Sequence, residues 1–191
     1  MHYFKKLVGE RIYLSPKSCE EEDIIKFTEW MNDFEITDYI DNSSMSFSYE
    51  SEKEWIIASA KKSSPGNFNI IDLETNELIG SVGFDKIKDV SRSAVLGIFI
   101  GNDKYRSNGY GTEAIKLLLE YGFKYLNLHS IKLTVLDVNA RAYKCYIKCG
   151  FKETGRDREA MYLNGKYHDV IHMDILESEF TGDYIKNKNV K

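Results

Sequence analysis

Only two prolines, Pro16 and Pro65, occur in the 191 residues, and no repeat or Pro/Gly/Ser-rich stretch interrupts them. Nothing therefore marks a linker, and residues 1–180 are expected to form one domain with a short polar tail over 181–191. Cysteine is also scarce. Cys19, Cys145 and Cys149 are odd in number, with two of them one helical turn apart, so they do not read as a disulfide framework. Free thiols in a reducing cytoplasm are the expectation. No CxxC or nearby His pair completes a zinc ligand set, so no metal is expected. No apolar run is long enough to cross a bilayer, and Met1 to Lys6 lacks the apolar stretch of a signal peptide, so no membrane partner is expected. Long blocks of one charge are missing too. With a formal net charge of −4, no general field draws the chain onto nucleic acid.

What the chain does have is material for a core: 42% hydrophobic residues, including thirteen tyrosines and ten phenylalanines. Arg11 to Leu14 reads as a first strand ended by Ser15-Pro16. Apolar spacing predicts helices over Glu20 to Met31 and Ser51 to Lys61, the second closed by Pro65-Gly66. Phe68 to Leu73 and Leu78 to Phe84 form a hairpin across Glu74-Thr75-Asn76-Glu77. Ser93 to Ile100, apolar at nearly every position, reads as a strand buried on both faces. A long helix over Gly109 to Leu126, a strand from Ile131 to Val135 and a helix over Asn139 to Cys149 follow, with Gly150 as its left-handed cap. Two strands, Phe151 to Tyr162 and Tyr167 to Leu176, flank an Asn164-Gly165 turn. The class is α/β (α+β), with a mixed, largely antiparallel sheet flanked by helices.

The sharpest local pattern is Arg106-Ser107-Asn108-Gly109-Tyr110-Gly111, set between a strand and a long helix. Backbone N–H groups at a helix start, with the positive end of the helix dipole behind them, suit a phosphate. Glycines let the backbone approach it closely. Taken alone, the pattern equally fits a tight loop entering a helix. It is not a Walker loop, since no Gly-Lys-Ser/Thr follows, and its late position after a hairpin disfavours a dinucleotide fold. One strand later comes Asn139-Ala140-Arg141-Ala142-Tyr143-Lys144-Cys145-Tyr146, ending in Gly150-Phe151.

Together these two segments resemble the signatures of the GNAT superfamily of N-acetyltransferases: the Arg/Gln-x-x-Gly-x-Gly/Ala loop and the Asn…Ala…Tyr…Gly-Phe helix and turn. The element order is also similar, and the resemblance covers residues 10–178. Trp30-Met31-Asn32-Asp33, Asn127 to Ile131 and Leu163 to Val170 are similar to the ribosomal-protein alanine acetyltransferase group and its spermidine acetyltransferase relatives. The resemblance implies acetyl-CoA as co-substrate. Arg106, Gly109 and Gly111, with the backbone of Ser107, Asn108, Tyr110 and Thr112, would hold its pyrophosphate. Leu96 to Ile100 would pair with the pantetheine arm, the Ile98 N–H polarising the thioester carbonyl. Asn139 would touch the arm or serve only as a helix N-cap. Tyr146 would be the general acid or merely a core tyrosine.

The general base is left between Glu159 and Glu35, as carboxylates near the acceptor. Relatives often carry Ala-Glu-Leu-Gly on the central strand where this chain has Ala94-Val95-Leu96-Gly97, so one obvious candidate is gone. His129, His168 and His172 read as solvated or hydrogen-bonded residues. Cys145 and Cys149 read as helix packing, because nothing adjacent in sequence lowers their pKa. The acceptor is a primary amine, of a small molecule or a peptide: a protein N-terminus, a polyamine, an amino sugar or an aminoglycoside. Glu35, Asp38 and Asp41 favour a cationic one. A homodimer is left open, as is a non-catalytic acyl-CoA sensor with the same fold.

Overall fold

The computed structural model describes residues 3–40, 42–61 and 65–187. Its elements run β1 (Leu7–Val8), β2 (Ile12–Pro16), α1 (Glu21–Met31), α2 (Phe34–Thr37), α3 (Tyr49–Lys61), β3 (Asn67–Asp72), β4 (Leu78–Lys88) and β5 (Ser93–Ile100). Then follow α4 (Tyr110–Lys124), β6 (Ser130–Leu136), α5 (Ala140–Lys148), β7 (Lys152–Leu163) and β8 (Lys166–Leu176). The strands make one sheet in the order β1-β2-β3-β4-β5-β6-β8-β7, antiparallel everywhere except between β5 and β6.

Local chemistry explains the boundaries. α1 carries Glu21, Glu22 and Asp23 in its first turn, where carboxylates complement the helix dipole, and buries Ile24, Phe27 and Met31 along one stripe. α3 starts two residues earlier than the spacing predicts, because Ser48 caps it through the Ser51 N–H at 3.1 Å. The β3–β4 turn is tied by Asp72, whose Oδ1 accepts from the N–H groups of Glu74 and Thr75. Asn164 and Gly165 take φ of 49° and 82°, as a two-residue hairpin turn requires. Gly150, at φ 97°, closes α5 as expected. The sequence reading missed β1 and α2, which are too short to carry a periodicity.

α4 and α5 cover one sheet face over a core that includes Ile115, Leu118, Ile131, Met173 and Phe151. α1 and α3 cover the other face, but only over the N-terminal strands, around Tyr13, Phe27, Ile56 and Ile71. That second cluster takes nothing from β6, β7 or β8, and Lys132 and Thr134 stand exposed there. Among the described residues the C-terminal half of the sheet therefore keeps one face bare.

Two expectations change. β5 is not buried on both faces: Ala94 and Leu96 are buried, Gly97 is exposed and Ile98 to Ile100 are half-buried. The cause is its pairing with β6, which runs only from Ser93↔Ser130 to Val95↔Lys132, after which the strands part. The chain after Phe180 does not trail away either. Ile185 is buried, and its N–H and that of Tyr184 donate to the fully buried Glu120. The Lys186 N–H donates to Val8 at 2.8 Å, so a polar composition conceals a docked strap. Residues 188–191 and Asp41 lie outside the described residues.

Candidate functional site

The parting of β5 and β6 makes the site. Antiparallel strands alternate the direction of their backbone groups residue by residue. The Gly101 N–H turns toward β4, donating to Ile79 O at 2.9 Å, while Ile100 O turns away and accepts from Arg106 Nε at 3.0 Å. By that alternation the Ile98 N–H and C=O face the edge that β6 has left. A cavity of about 320 Å³ lies along this edge. α4 and α5 wall it on one side, and the α2 turn, through Glu35, Ile36, Tyr39 and Ile40, on the other.

At the cavity's α4 end, Gly109 is the N-cap at φ 86°, a left-handed conformation that disfavours side chains. No side chain caps this first turn. Its N–H groups, which lack intrahelical acceptors by position, are left for a ligand. Glu113, which would repel an anion, is turned outward onto the N–H groups of Glu10 and Arg11 at 2.7 and 2.9 Å. Along α5, Arg141, Lys144 and Lys148 line the cavity from one helix face. An uncapped helix start, an open strand edge and a basic rim fit the pyrophosphate and amide-bearing arm of acetyl-CoA.

Most residues expected at the site are brought together: Glu35, Ile98, Ile100, Arg106, Ser107, Gly109, Gly111, Thr112, Asn139 and Tyr146 all line the cavity. Asn108 and Tyr110 do not. The Asn108 amide donates to Lys104 O, and the Tyr110 ring packs on Tyr105 and under the Arg11 guanidinium, so their side chains point away. Asn139 does cap α5, accepting from the Ala142 N–H at 3.1 Å, and still borders the cavity.

Arg106 has a different part from the one expected of its charge. Its guanidinium, 10% exposed, donates to the carbonyls of Ile100 and Gly101 and pairs with Asp103 at 2.6 Å and Glu35 at 3.1 Å. Two carboxylates neutralise it, and it serves as a pin for the end of β5. Glu159 is not at the cavity. It is exposed on β7 at an irregularity of the β7–β8 pairing, with φ 51° and its N–H donating to Asp169.

Tyr146 is buried at the cavity wall, and its hydroxyl has no hydrogen-bond partner among the described residues. Burial first, then the neighbouring Cys145 and Cys149, pushes its pKa up, so it stays protonated at neutral pH. The thiols correct the packing-only reading. Cys145 lines the cavity, with Sγ 3.2 Å from Thr112 Oγ1, and the neighbouring Cys149 thiol donates to Thr112 O at 3.7 Å. The adjacent Cys149 thiol, with Thr112 and the ammonium groups of Lys148 and Lys116, pulls Cys145 below the usual thiol range, and proximity to Cys145 with burial pushes Cys149 up.

Two contributions escaped the sequence. Arg11, far from the glycine loop in the chain, reaches it through Nη1 to Asn108 O at 3.0 Å, and no local signal announces this. Arg141, Lys144 and Lys148 did carry a signal, their three- and four-residue spacing on one helix face.

The description "Acetyltransferase (GNAT) domain" matches residues 11–152. A spermidine N(1)-acetyltransferase of Vibrio cholerae serotype O1 is 38% identical over 113 residues, 59% of this chain and 64% of that protein, so this match spans less than two thirds of the relative's length. The uncharacterised N-acetyltransferase p20 of Bacillus licheniformis is 27% identical over 92% of this chain and 98% of its own. The crystal structure of spermidine N-acetyltransferase from Vibrio cholerae in complex with CoA and spermine superposes with a TM-score of 0.79 at 30% identity, covering 88% of this chain and 97% of that one. With its domain matched over most of its length and its fold shared with a CoA-bound relative, the chain belongs to the GNAT acetyltransferases, enzymes that move acetyl from acetyl-CoA to an amine.

Proposed function

We propose that this chain, acting as one N-acetyltransferase domain, acetylates a primary amine of a small cationic acceptor, a polyamine ahead of a protein N-terminus. The observation that carries the reading is the continuous cavity between α5 and the α2 turn, with an unpartnered Tyr146 hydroxyl in its wall and the open Ile98 edge along it. Acetyl-CoA supplies an activated acyl group and a thiol leaving group. The chain's residues do the rest. The amides from Ser107 to Thr112 and the α5 basic rim hold phosphate charge, and Asn139 borders the arm. The Ile98 N–H is directed at the position where negative charge develops on the acyl oxygen. Tyr146 holds a proton for the departing sulfur.

Glu35 supports a cationic acceptor by its place at the α2 side of the cavity, as do the relatives named for spermidine. Glu35 and Asp103 both pair with Arg106, which leaves this corner of the cavity one negative charge in excess. The reducing cytoplasm fits the free state of all three cysteines. Among the described residues no helix is long and apolar enough to cross a membrane. Self-association belongs to the same reading, since one related spermidine acetyltransferase is described as dodecameric. Sedimentation of the ligand-free chain distinguishes a dimer from a larger assembly.

The test is release of free thiol from acetyl-CoA against spermidine, an aminoglycoside, an amino sugar and peptides starting with Ala or Ser. Spermidine is expected to give the fastest release. Preference for a peptide would overturn the polyamine assignment. Acetyl-CoA binding without release to any amine would make the chain a sensor.

A further inference from the structure

A second cavity, of about 480 Å³, opens on the bare face of the C-terminal half-sheet and reaches β5 at Val95. Its floor holds a pair that the mechanism above does not use: His172 Nε2 lies 2.7 Å from Asp157 Oδ2. A carboxylate only accepts, so Nε2 carries the ring proton of the neutral imidazole and Nδ1 its lone pair. Nδ1 has no partner among the described residues.

Register places this ring beside the reacting edge. Thr134 on β6 is the partner of His172 on β8, and Gly155 on β7 flanks His172 on the other side. Continued two residues beyond Val95↔Lys132, the β5–β6 pairing brings Gly97 level with Thr134. Gly97, Thr134 and His172 therefore form one row across the bare face, one residue before Ile98. The row has a gap where the strands part. At Gly97 a Cβ would meet nothing within 4 Å, so the face is open there. From β6 to β8 is one strand spacing, about 5 Å, and the parting of β5 from β6 leaves room beside Thr134 for an amine and a bridging water. Val95, where relatives often carry glutamate, faces the same cavity without a carboxylate. Of the other charged groups around it, Arg156 is bound by Glu153 and Lys152 by Glu179, while the Asp174 carboxylate lies in the row of Lys132 and Val95, two residues further from Ile98.

We propose that His172, oriented by Asp157, is the general base for the acceptor amine, with Asp157 as its positioning residue. The proposal rests on the amine-acetylation reading. The acceptor enters as an ammonium, and one proton passes to His172 Nδ1 and on to solvent. The freed lone pair forms the C–N bond and the C–S bond breaks. The second amine proton replaces the one that Tyr146 gives to the sulfur.

The experiment measures kcat/KM for the best amine of the panel between pH 5.5 and 9 in the native chain, H172Q and D157N, together with acetyl-CoA affinity (~ values set by the histidine range). H172Q is expected to lose about 100-fold in kcat/KM and the acidic limb of the native profile, with acetyl-CoA affinity unchanged. D157N is expected to lose about 10-fold, because the ring remains but its tautomer is no longer fixed. An H172Q profile that keeps the native rate and limb overturns the role. A native chain that releases no thiol with any amine overturns the acetylation reading instead, and this role with it. If H172Q does not fold, acylation of the native chain by diethyl pyrocarbonate, mapped by mass spectrometry, replaces it. Inactivation that tracks His172 modification and is prevented by the amine supports the role, and full activity of His172-modified protein refutes it.

Discussion

The two sides of the gap between β5 and β6 are built from different material. On the α4/α5 side the cavity offers backbone: uncapped N–H groups at the start of α4 and the unpaired edge of β5. On the bare side the second cavity offers side chains brought from β5, β6, β7 and β8, among them His172 and Asp157. Backbone recognition demands only that the chain turn correctly, so it tolerates any side chain that allows the turn. Side-chain recognition depends on residue identity at positions scattered along the sequence. A constant donor is thus read by the frame, and a variable acceptor by whatever the frame displays.

Substitutions on the two sides should separate accordingly, and the largest effect is expected at Tyr146. Y146F removes an unpartnered hydroxyl, so stability should change little, while kcat falls about 10²–10⁴-fold with acetyl-CoA affinity unchanged. Steady-state kinetics with a thermal melt reads both, and a loss of under about fivefold would return Tyr146 to packing alone. Next is G109V. A β-branched residue in the left-handed region costs roughly 1–2 kcal/mol, and its Cβ would lie 3.0 Å from Arg11 Nη2. Acetyl-CoA affinity should weaken about tenfold or more by calorimetry, with little change in KM for the amine. An equal loss for both substrates would mean that the two sides are not independent.

The same division sets what was legible in the sequence. The glycine loop, the Asn139 cap and Tyr146 are local patterns, and all reach one cavity. The fold was legible for the same reason, since strands and helices declare themselves by period within a few residues. Glu159 lies away from the cavity because its position depends on an irregular β7–β8 register, which no local pattern encodes. The buried expectation for β5 failed because its apolar residues face a gap rather than a neighbour, a consequence of where β6 turns away. The polar tail misled because one buried apolar side chain, Ile185, and a buried carboxylate, Glu120, suffice to dock it.

A smaller effect is expected along the α5 rim. Arg141, Lys144 and Lys148 face the cavity but remain open to water, where each charge contributes modestly and salt screens it. Replacing any one with Ala should weaken acetyl-CoA binding about two- to fivefold at low salt, and the difference should fade near 1 M salt. Titrations at two ionic strengths test this. A deficit that persists in high salt would show direct, desolvated contact and move the rim from electrostatic steering to specific recognition.

The smallest change is one of access. Cys145 lines the donor side, while Cys149 is buried behind it and donates to Thr112 O. Because Cys145 is held below the usual thiol range, it keeps more thiolate than a free thiol as pH falls from 8 toward 6.5 (roughly 0.5 to 2 units below the free-thiol value of about 8.5). A small reference thiol with an unperturbed pKa loses reactivity across that interval. Alkylation by iodoacetamide, mapped by mass spectrometry, should therefore mark Cys145 in preference to Cys149, with a shallower pH dependence than the reference. Acetyl-CoA should protect Cys145 and the acceptor amine should not. Protection by the amine alone would place the acceptor against α5 and erase the division between a backbone-built donor side and a side-chain-built acceptor side.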